Sequence, residues 1–235
     1  MIDQDSTEFA EAFIAAVRPN GPRGKHAWWM AMIAIGVLLA VALASLLNGA
    51  IGGGGSVAAA PALTAVAGPG CTSDGTRFTT AGYYAGSARE AADWTTSRTG
   101  GYVGEGCTGG FVSLPLSGHA TAYDSNRYVL WTFHLSSALD TSASCRIYTY
   151  VPDVTSLSAV GGVPAVYYYY GTAYSPTAKP LGTYIVNQVE DRGQWVPDSS
   201  LPVSGGQVSV KMVDAGATPD ARAAAAQVGL MCSAA

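Results

Sequence analysis

The sequence predicts an all-β domain, a jelly-roll-like β-sandwich, carried behind one transmembrane α-helix. Three observations point there. Short runs with period-two alternation recur through the last two thirds of the chain, one charge-free apolar stretch lies near the start, and all four cysteines follow that stretch. Half of the residues are hydrophobic (49%) and only 12% are charged. That charged fraction is well under the roughly 25% of ordinary soluble domains, and the apolar stretch accounts for part of the deficit.

Residues 1–26 read as a cytoplasmic tail with one short helix. Asp5 and Glu8 have the spacing of a capping box, Phe9, Phe13, Ile14 and Val17 share a face, and Pro19-Asn20-Gly21-Pro22 stops the helix. Residues 27–47 follow as AWWMAMIAIGVLLAVALASLL. At 1.5 Å per residue this run reaches about 30 Å, the thickness of a bilayer's hydrocarbon core. Arg18, Arg23 and Lys25 precede it, and no basic residue follows until Arg77. The positive-inside rule therefore puts the N-terminus in the cytoplasm and the remainder outside. A cleaved signal peptide is the rival reading, with Val57-Ala58-Ala59-Ala60 as the small residues. The apolar run is longer than an ordinary signal core, and those residues lie far beyond its end.

Residues 48–70 turn to Gly, Ala, Ser and Pro, including Gly52-Gly53-Gly54-Gly55-Ser56. They read as a flexible tether with about 25 Å of root-mean-square reach. The folded part is then 71–235. In Tyr128–Leu135, Val129, Trp131, Phe133 and Leu135 share one face. In Cys145–Val151, Ile147, Thr149 and Val151 oppose Arg146, Tyr148 and Tyr150. In Gln207–Val213, Val208, Val210 and Met212 oppose Ser209 and Lys211. Further strands are expected at Phe78–Tyr83, Phe111–Leu116, Pro164–Tyr170, Thr183–Val189 and Gln227–Cys232, and one helix at Ala88–Asp93 behind Ser87. Trp94, Trp131 and Trp195 are expected in the core.

Cys71, Cys107, Cys145 and Cys232 all lie on the outer side of the span, as an oxidising compartment would favour. Four cysteines allow three pairings, and sequence alone does not choose among them. Pairing Cys71 with Cys107 and Cys145 with Cys232 would close one short loop and one long one, stapling the last strand into the sheet.

Chemistry-bearing motifs are scarce. His26 flanks the membrane span, and neither His119 nor His134 has a second histidine at ligand spacing, so no metal or cofactor site is expected. Neither G-x-S-x-G nor S-x-x-K occurs. Most external acids sit beside Gly, Ser or Pro, where turn chemistry explains them, and Glu190-Asp191 has the profile of a hairpin tip. Acidic residues outnumber basic ones outside the membrane, which disfavours nucleic acid. The expectation is a non-enzyme.

Aromatic surface is what the chain has in abundance. Tyr167, Tyr168, Tyr169 and Tyr170 lie in one strand and Tyr174 just beyond it. Alternation must turn two of the four away from the core, where planar rings stack on sugars or anchor protein interfaces. The competing reading is that they pack against a neighbouring sheet or loop.

Several stretches carry a resemblance. Trp94-Thr95-Thr96-Ser97 with Gly101-Tyr102-Val103-Gly104, Trp131-Thr132-Phe133, RIYTYVP from Arg146 to Pro152, Thr183 to Gln188 with Gly193-Gln194-Trp195-Val196, and Ala226 to Leu230 follow in order. Together they resemble the golvesin C-terminal and xanthan-lyase-type carbohydrate-binding-like domain, a β-sandwich of bacterial exported proteins. The four cysteines and a Tyr-rich excursion over 153–181 depart from that pattern. The resemblance implies a sandwich fold and a carbohydrate-binding role, while its shared motifs mark scaffold positions. The resulting expectation is a membrane-anchored extracytoplasmic module that binds glycan or cell wall, with Tyr167 to Tyr170 and Tyr174 as contacts. The alternative is a structural adaptor that docks to other envelope proteins through its sandwich and transmembrane helix.

Overall fold

The computed structural model describes residues 62–82, 94–116, 126–136, 143–203, 205–215 and 220–234, with 118, 139 and 218. The tail, the apolar span, the first part of the tether and the helix expected at Ala88–Asp93 lie outside these residues. Among the described residues no helix is long and apolar enough to cross a membrane.

Among the described residues fourteen strands form, and every pairing is antiparallel. A four-stranded sheet has the order β1 (Ala62–Ala67), β14 (Val228–Ala234), β8 (Ala143–Tyr150), β11 (Trp195–Val203). A five-stranded sheet runs β10 (Gly182–Val186), β9 (Ala165–Tyr170), β12 (Gln207–Val213), β7 (Tyr128–His134), β2 (Thr76–Ala81). From β7 to β12 the chain passes between these two sheets at every step except from β9 to β10, which pair with each other, and β2 lies at an edge of the five-stranded sheet. Two smaller pieces complete the fold: a sheet ordered β13 (Arg222–Ala225), β6 (Phe111–Pro115), β3 (Thr95–Ser97), and a ribbon of β4 (Val103–Gly104) with β5 (Cys107–Thr108).

The alternation read from sequence explains the core. Val129, Trp131 and Phe133 of β7 and Val208, Val210 and Met212 of β12 are fully buried against Ile147, Leu201 and Leu230 of the facing sheet. The Trp131 indole Nε1 donates to the Ala226 carbonyl at 2.9 Å, so the largest core side chain leaves no polar atom unpaired. Pro197 and Pro202 both fall in β11, where an edge position tolerates a missing N–H, and the register slips between Pro197 and Ser200.

Two expectations need correction. The tether assigned to 48–70 ends too late, because Ala62–Ala67 is strand β1, paired along β14 from Ala62↔Ser233 to Ala67↔Val228. Its small side chains looked unable to build a core. A strand that borrows its neighbour's ladder needs only a few buried positions, and Val66 is 1% exposed. The hairpin expected around Glu190-Asp191 is instead a crossover, since β10 pairs with β9 while β11 pairs with β8 in the other sheet. The outer face of β8 is exposed at Ser144 and Arg146 but covered toward its C-terminal end. Tyr148 packs with Val66, Cys107 and Trp195, and Tyr102, Tyr150 and Trp195 meet with ring centroids 5.0–5.8 Å apart.

Cys71 bonds to Cys107 and Cys145 to Cys232. The first joins the exit of β1 to β5. The second links directly opposed residues of β8 and β14 and closes a sequence separation of 87. Replacing Cys145 and Cys232 by Ala is expected to lower stability by roughly 2–4 kcal/mol through the freed unfolded chain, read as a shifted urea midpoint.

Candidate functional site

Strand β9 divides the tyrosine run. Tyr167 points inward, is 0% exposed and stacks on Tyr184 of β10 with centroids 4.8 Å apart and planes 5° from parallel. Its hydroxyl accepts a hydrogen bond from Gln188 Nε2 at 3.3 Å, and burial pushes its pKa up. Tyr184 is raised by burial as well, and its hydroxyl shares a 2.7 Å hydrogen bond with Thr149. Tyr169 lies on the same inner side, tilted against Tyr184 at 6.4 Å. Tyr167 is therefore a core side chain, closed off from the ligand role expected from sequence, and Tyr169 packs partly buried against the same core, on the side of the strand away from Tyr168 and Tyr170.

Tyr168 and Tyr170 face outward, opposite Lys211 and Ser209 of β12. Of the two readings of the run, rings offered outward or rings packed under a neighbouring sheet or loop, this face follows the second in part, because the segment after β9 doubles back over it. The Tyr174 backbone N–H donates to Ser209 Oγ at 3.1 Å, pinning the loop to the sheet. Ser209 is consequently 0% exposed and Lys211 only 6%. The loop also covers Tyr170, which Tyr174 meets edge-on at 5.3 Å.

Lys211 organises what lies between loop and sheet. Its Nζ donates to the Tyr174 hydroxyl at 3.1 Å and sits 4.3 Å from the ring centroid of Tyr128 and 4.9 Å from that of Tyr174. Ring faces stabilise an ammonium electrostatically, more strongly where water is excluded. Tyr128, which opens β7, meets Tyr174 edge-on at 5.5 Å. Desolvation raises the Tyr128 pKa, Tyr174 adds to the rise, and Lys211 opposes it.

The result is a cleft of about 360 Å³. Tyr168, Tyr170 and Lys211 line it from the sheet, Tyr174, Pro176, Ala178 and Pro180 from the loop, and Asn126 and Tyr128 from the approach to β7. The volume falls at the small end of the range for small-molecule sites. Ring faces, phenolic hydroxyls, an amide and an ammonium converge on one space. That set can grip an apolar ring face while hydrogen-bonding its rim.

A second hollow of about 390 Å³ is lined by Pro115, Leu116, Arg127, Asp220, Ala221 and Arg222. Arg222 is held in place there: its guanidinium Nη1 donates to the Ser158 carbonyl at 2.9 Å and its backbone N–H to the Leu157 carbonyl at 3.1 Å.

Of the five tyrosines singled out, the fold gathers Tyr168, Tyr170 and Tyr174. Sequence reasoning missed Tyr128, Asn126 and Lys211. A lone cation in an otherwise apolar strand was the available signal for Lys211, but period two assigned it to solvent. Among the described residues no group of three His, Cys, Asp or Glu could hold a metal ion. Glu190 and Asp191 sit in a turn capped by Asn187, whose Oδ1 accepts from the Val189 and Glu190 N–H groups at 3.2 and 3.4 Å. Burial raises the Asp191 pKa, but its carboxylate oxygen takes a hydrogen bond from Gln194 at 3.4 Å, an arrangement that serves the turn.

No protein-family model matches the chain, and no curated protein matches it. Among solved structures it is similar to the K1 cleaved adhesin domain of Lys-gingipain from Porphyromonas gingivalis W83, at 11% identity and a TM-score of 0.37, covering 74% of this chain and 99% of that one. The K3 cleaved adhesin domain of the same protein gives 12% identity and a TM-score of 0.31, over 67% of this chain and 99% of that one. An isomalto-dextranase of Arthrobacter globiformis T6, complexed with panose, gives 16% identity and a TM-score of 0.29, over 66% of this chain and 23% of that one. Similarities this distant carry no weight for function, which rests on the chain's own residues.

Proposed function

We propose that this chain is a glycan-binding module of the cell envelope, golvesin-like in kind, held at the membrane by residues 27–47 and acting without catalysis. One observation carries the reading: outward tyrosines of β9, a loop tyrosine and Tyr128 surround a buried lysine in a cleft, instead of closing into a dry core. Sugars present apolar ring faces edged by hydroxyls, and this lining matches both parts. The two disulfides support an oxidising, extracytoplasmic setting. The charge-free span with basic residues before it supports anchoring with the N-terminus inside.

The test is glycan-array binding of the full chain in mild detergent, followed by calorimetry on the retained sugars. Tyr168→Ala and Tyr174→Ala are each expected to weaken binding about tenfold or more, equivalent to about 1.4 kcal/mol. Tyr168→Phe keeps the ring face and should bind within a few-fold of the parent. Failure of the array to retain any glycan, or folded alanine variants that bind like the parent, would overturn the proposal.

A further inference from the structure

The loop that closes the cleft over β12 stops short of β10. Ser209 and Lys211 of β12 are buried beneath it, whereas Thr183 and Ile185 on the same outer face of β10 are exposed, Ile185 at 66%. Tyr184, between them, points into the core and stacks on Tyr167. The register ties this bare strip to the cleft. Lys211 pairs with Tyr168 and Tyr168 with Thr183, so the three stand in one row across β12, β9 and β10. Residues paired in this way share a face of the sheet, and neighbouring strands lie about 4.8 Å apart, so Thr183 is one strand beyond a ring that lines the cleft. Ile185 is directly opposite Val166 and diagonal to Tyr168, about 7–8 Å away. We propose that this strip is a second subsite continuous with the cleft, and that the ligand is an oligosaccharide of N-acetylated sugars lying across the strands. The proposal deepens the glycan-binding reading and rests on it.

The chemistry of the strip selects the substituent. Strands β9 and β10, AVYYYY and GTYIV, carry no charged side chain, so the strip itself offers nothing to a carboxylate or phosphate. Its outward side chains are the ring of Tyr168, the hydroxyl of Thr183 and the β-branched apolar groups of Val166 and Ile185. Sugar hydroxyls set against Val166 and Ile185 would lose water without gaining a partner. An acetamido group meets both halves of the strip: its methyl packs on Ile185 and Val166, and its N–H or carbonyl pairs with the Thr183 hydroxyl, which donates or accepts. Single exposed apolar side chains are ordinary on a protein surface. Ile185 is not single, because Leu181, 54% exposed, flanks Thr183 on the other side and directly follows Pro180 of the cleft lining. The strip is also held in place before a ligand arrives. Tyr184 anchors β10 from below through its stack on Tyr167 and its hydrogen bond with Thr149, so little ordering remains for binding to oppose.

The test is calorimetry on the full chain in mild detergent with three probes: N-acetylglucosamine, N-acetylchitotriose, and cellotriose, which has the same backbone without acetamido groups. N-acetylchitotriose is expected to bind about tenfold more tightly than the monosaccharide and about fivefold more tightly than cellotriose. Ile185→Thr keeps a β-branched residue at an exposed strand position and should fold like the parent. It should weaken N-acetylchitotriose about fivefold, the effect of one or two methylenes no longer buried, and leave the monosaccharide unchanged. Thr183→Val should weaken the same trisaccharide several-fold through the lost hydroxyl. Equal affinity for monosaccharide and trisaccharide, or an Ile185→Thr protein that binds N-acetylchitotriose normally, would overturn the second subsite while binding in the cleft stands. Equal affinity for the two trisaccharides would overturn the acetamido assignment. A concentration-dependent dimer in light scattering, abolished by Ile185→Thr and indifferent to sugar chain length, would assign the strip to a second copy of this chain and overturn the proposal. Binding of none of these probes, and of no other glycan, would take down both readings.

Discussion

Gln188→Ala is expected to lower stability by about 4–6 kcal/mol, a large part of the roughly 5–15 kcal/mol that holds a domain folded. Gln188 is completely buried, and its amide acts as a substitute strand along the open edge of β13. Its Nε2 donates to the Ala224 carbonyl at 2.7 Å, and its Oε1 accepts from the Ala224 N–H at 2.8 Å and from the Gly162 N–H at 3.3 Å. The Tyr167 hydroxyl is its fourth partner. Truncation would strand all four groups in a dry interior, at about 1–3 kcal/mol each before any water enters. Gln188→Leu restores the volume but none of the hydrogen bonds, and should remain strongly destabilised. Urea unfolding followed by tryptophan fluorescence measures both. A loss below about 1 kcal/mol would mean that water replaces the amide at little cost. Because Tyr167 backs the strand that carries Tyr168 and Tyr170, the proposed glycan binding should weaken along with stability.

A chain that starts at Cys71 should be far less stable than one that starts at Ala60, although both contain every cysteine. Cutting at Cys71 removes β1. The lost ladder bonds, at about 1 kcal/mol each, and the lost burial of Val66, about 2 kcal/mol, together come to roughly 5 kcal/mol or more. Val66 sits beneath Tyr148 and Trp195, and Ala67 belongs to the main core, so this one strand serves both apolar clusters. Its removal also turns β14, whose sequence is VGLMCSA, into an unprotected edge. Exposed apolar edges pair with other chains, and the shorter protein is expected to aggregate on size-exclusion chromatography. Equal urea midpoints and monodisperse profiles for the two chains would contradict this account.

These two cases mark where sequence reading stops. The alternation of Tyr128–Leu135, Cys145–Val151 and Gln207–Val213 located three central strands, because a half-buried strand must repeat every two residues. β1 was invisible to the same rule. ALTAVA has little contrast between its faces, and its partner lies at the far end of the chain. Gln188 read as the end of an expected strand. Its role depends on Ala224 and Gly162, which no local pattern connects to it. The candidate site divides in the same way. The composition of the tyrosine run announced an aromatic surface, whereas the split between Tyr167 and Tyr168 required the register of β9 against β12.

By itself the sequence determined the all-β character of the described domain, the strands that form its centre and the tyrosine-rich segment to watch. All of these are set by periodicity and composition within a few neighbouring residues. The tertiary structure alone decided which tyrosines turn outward, that the segment after β9 folds back to bury Ser209 and Lys211, and that Asn126 and Tyr128 join them in one cleft. Those outcomes come from contacts between residues distant in the chain. Their energies depend on which surfaces the fold presses together, and such surfaces do not exist until it forms.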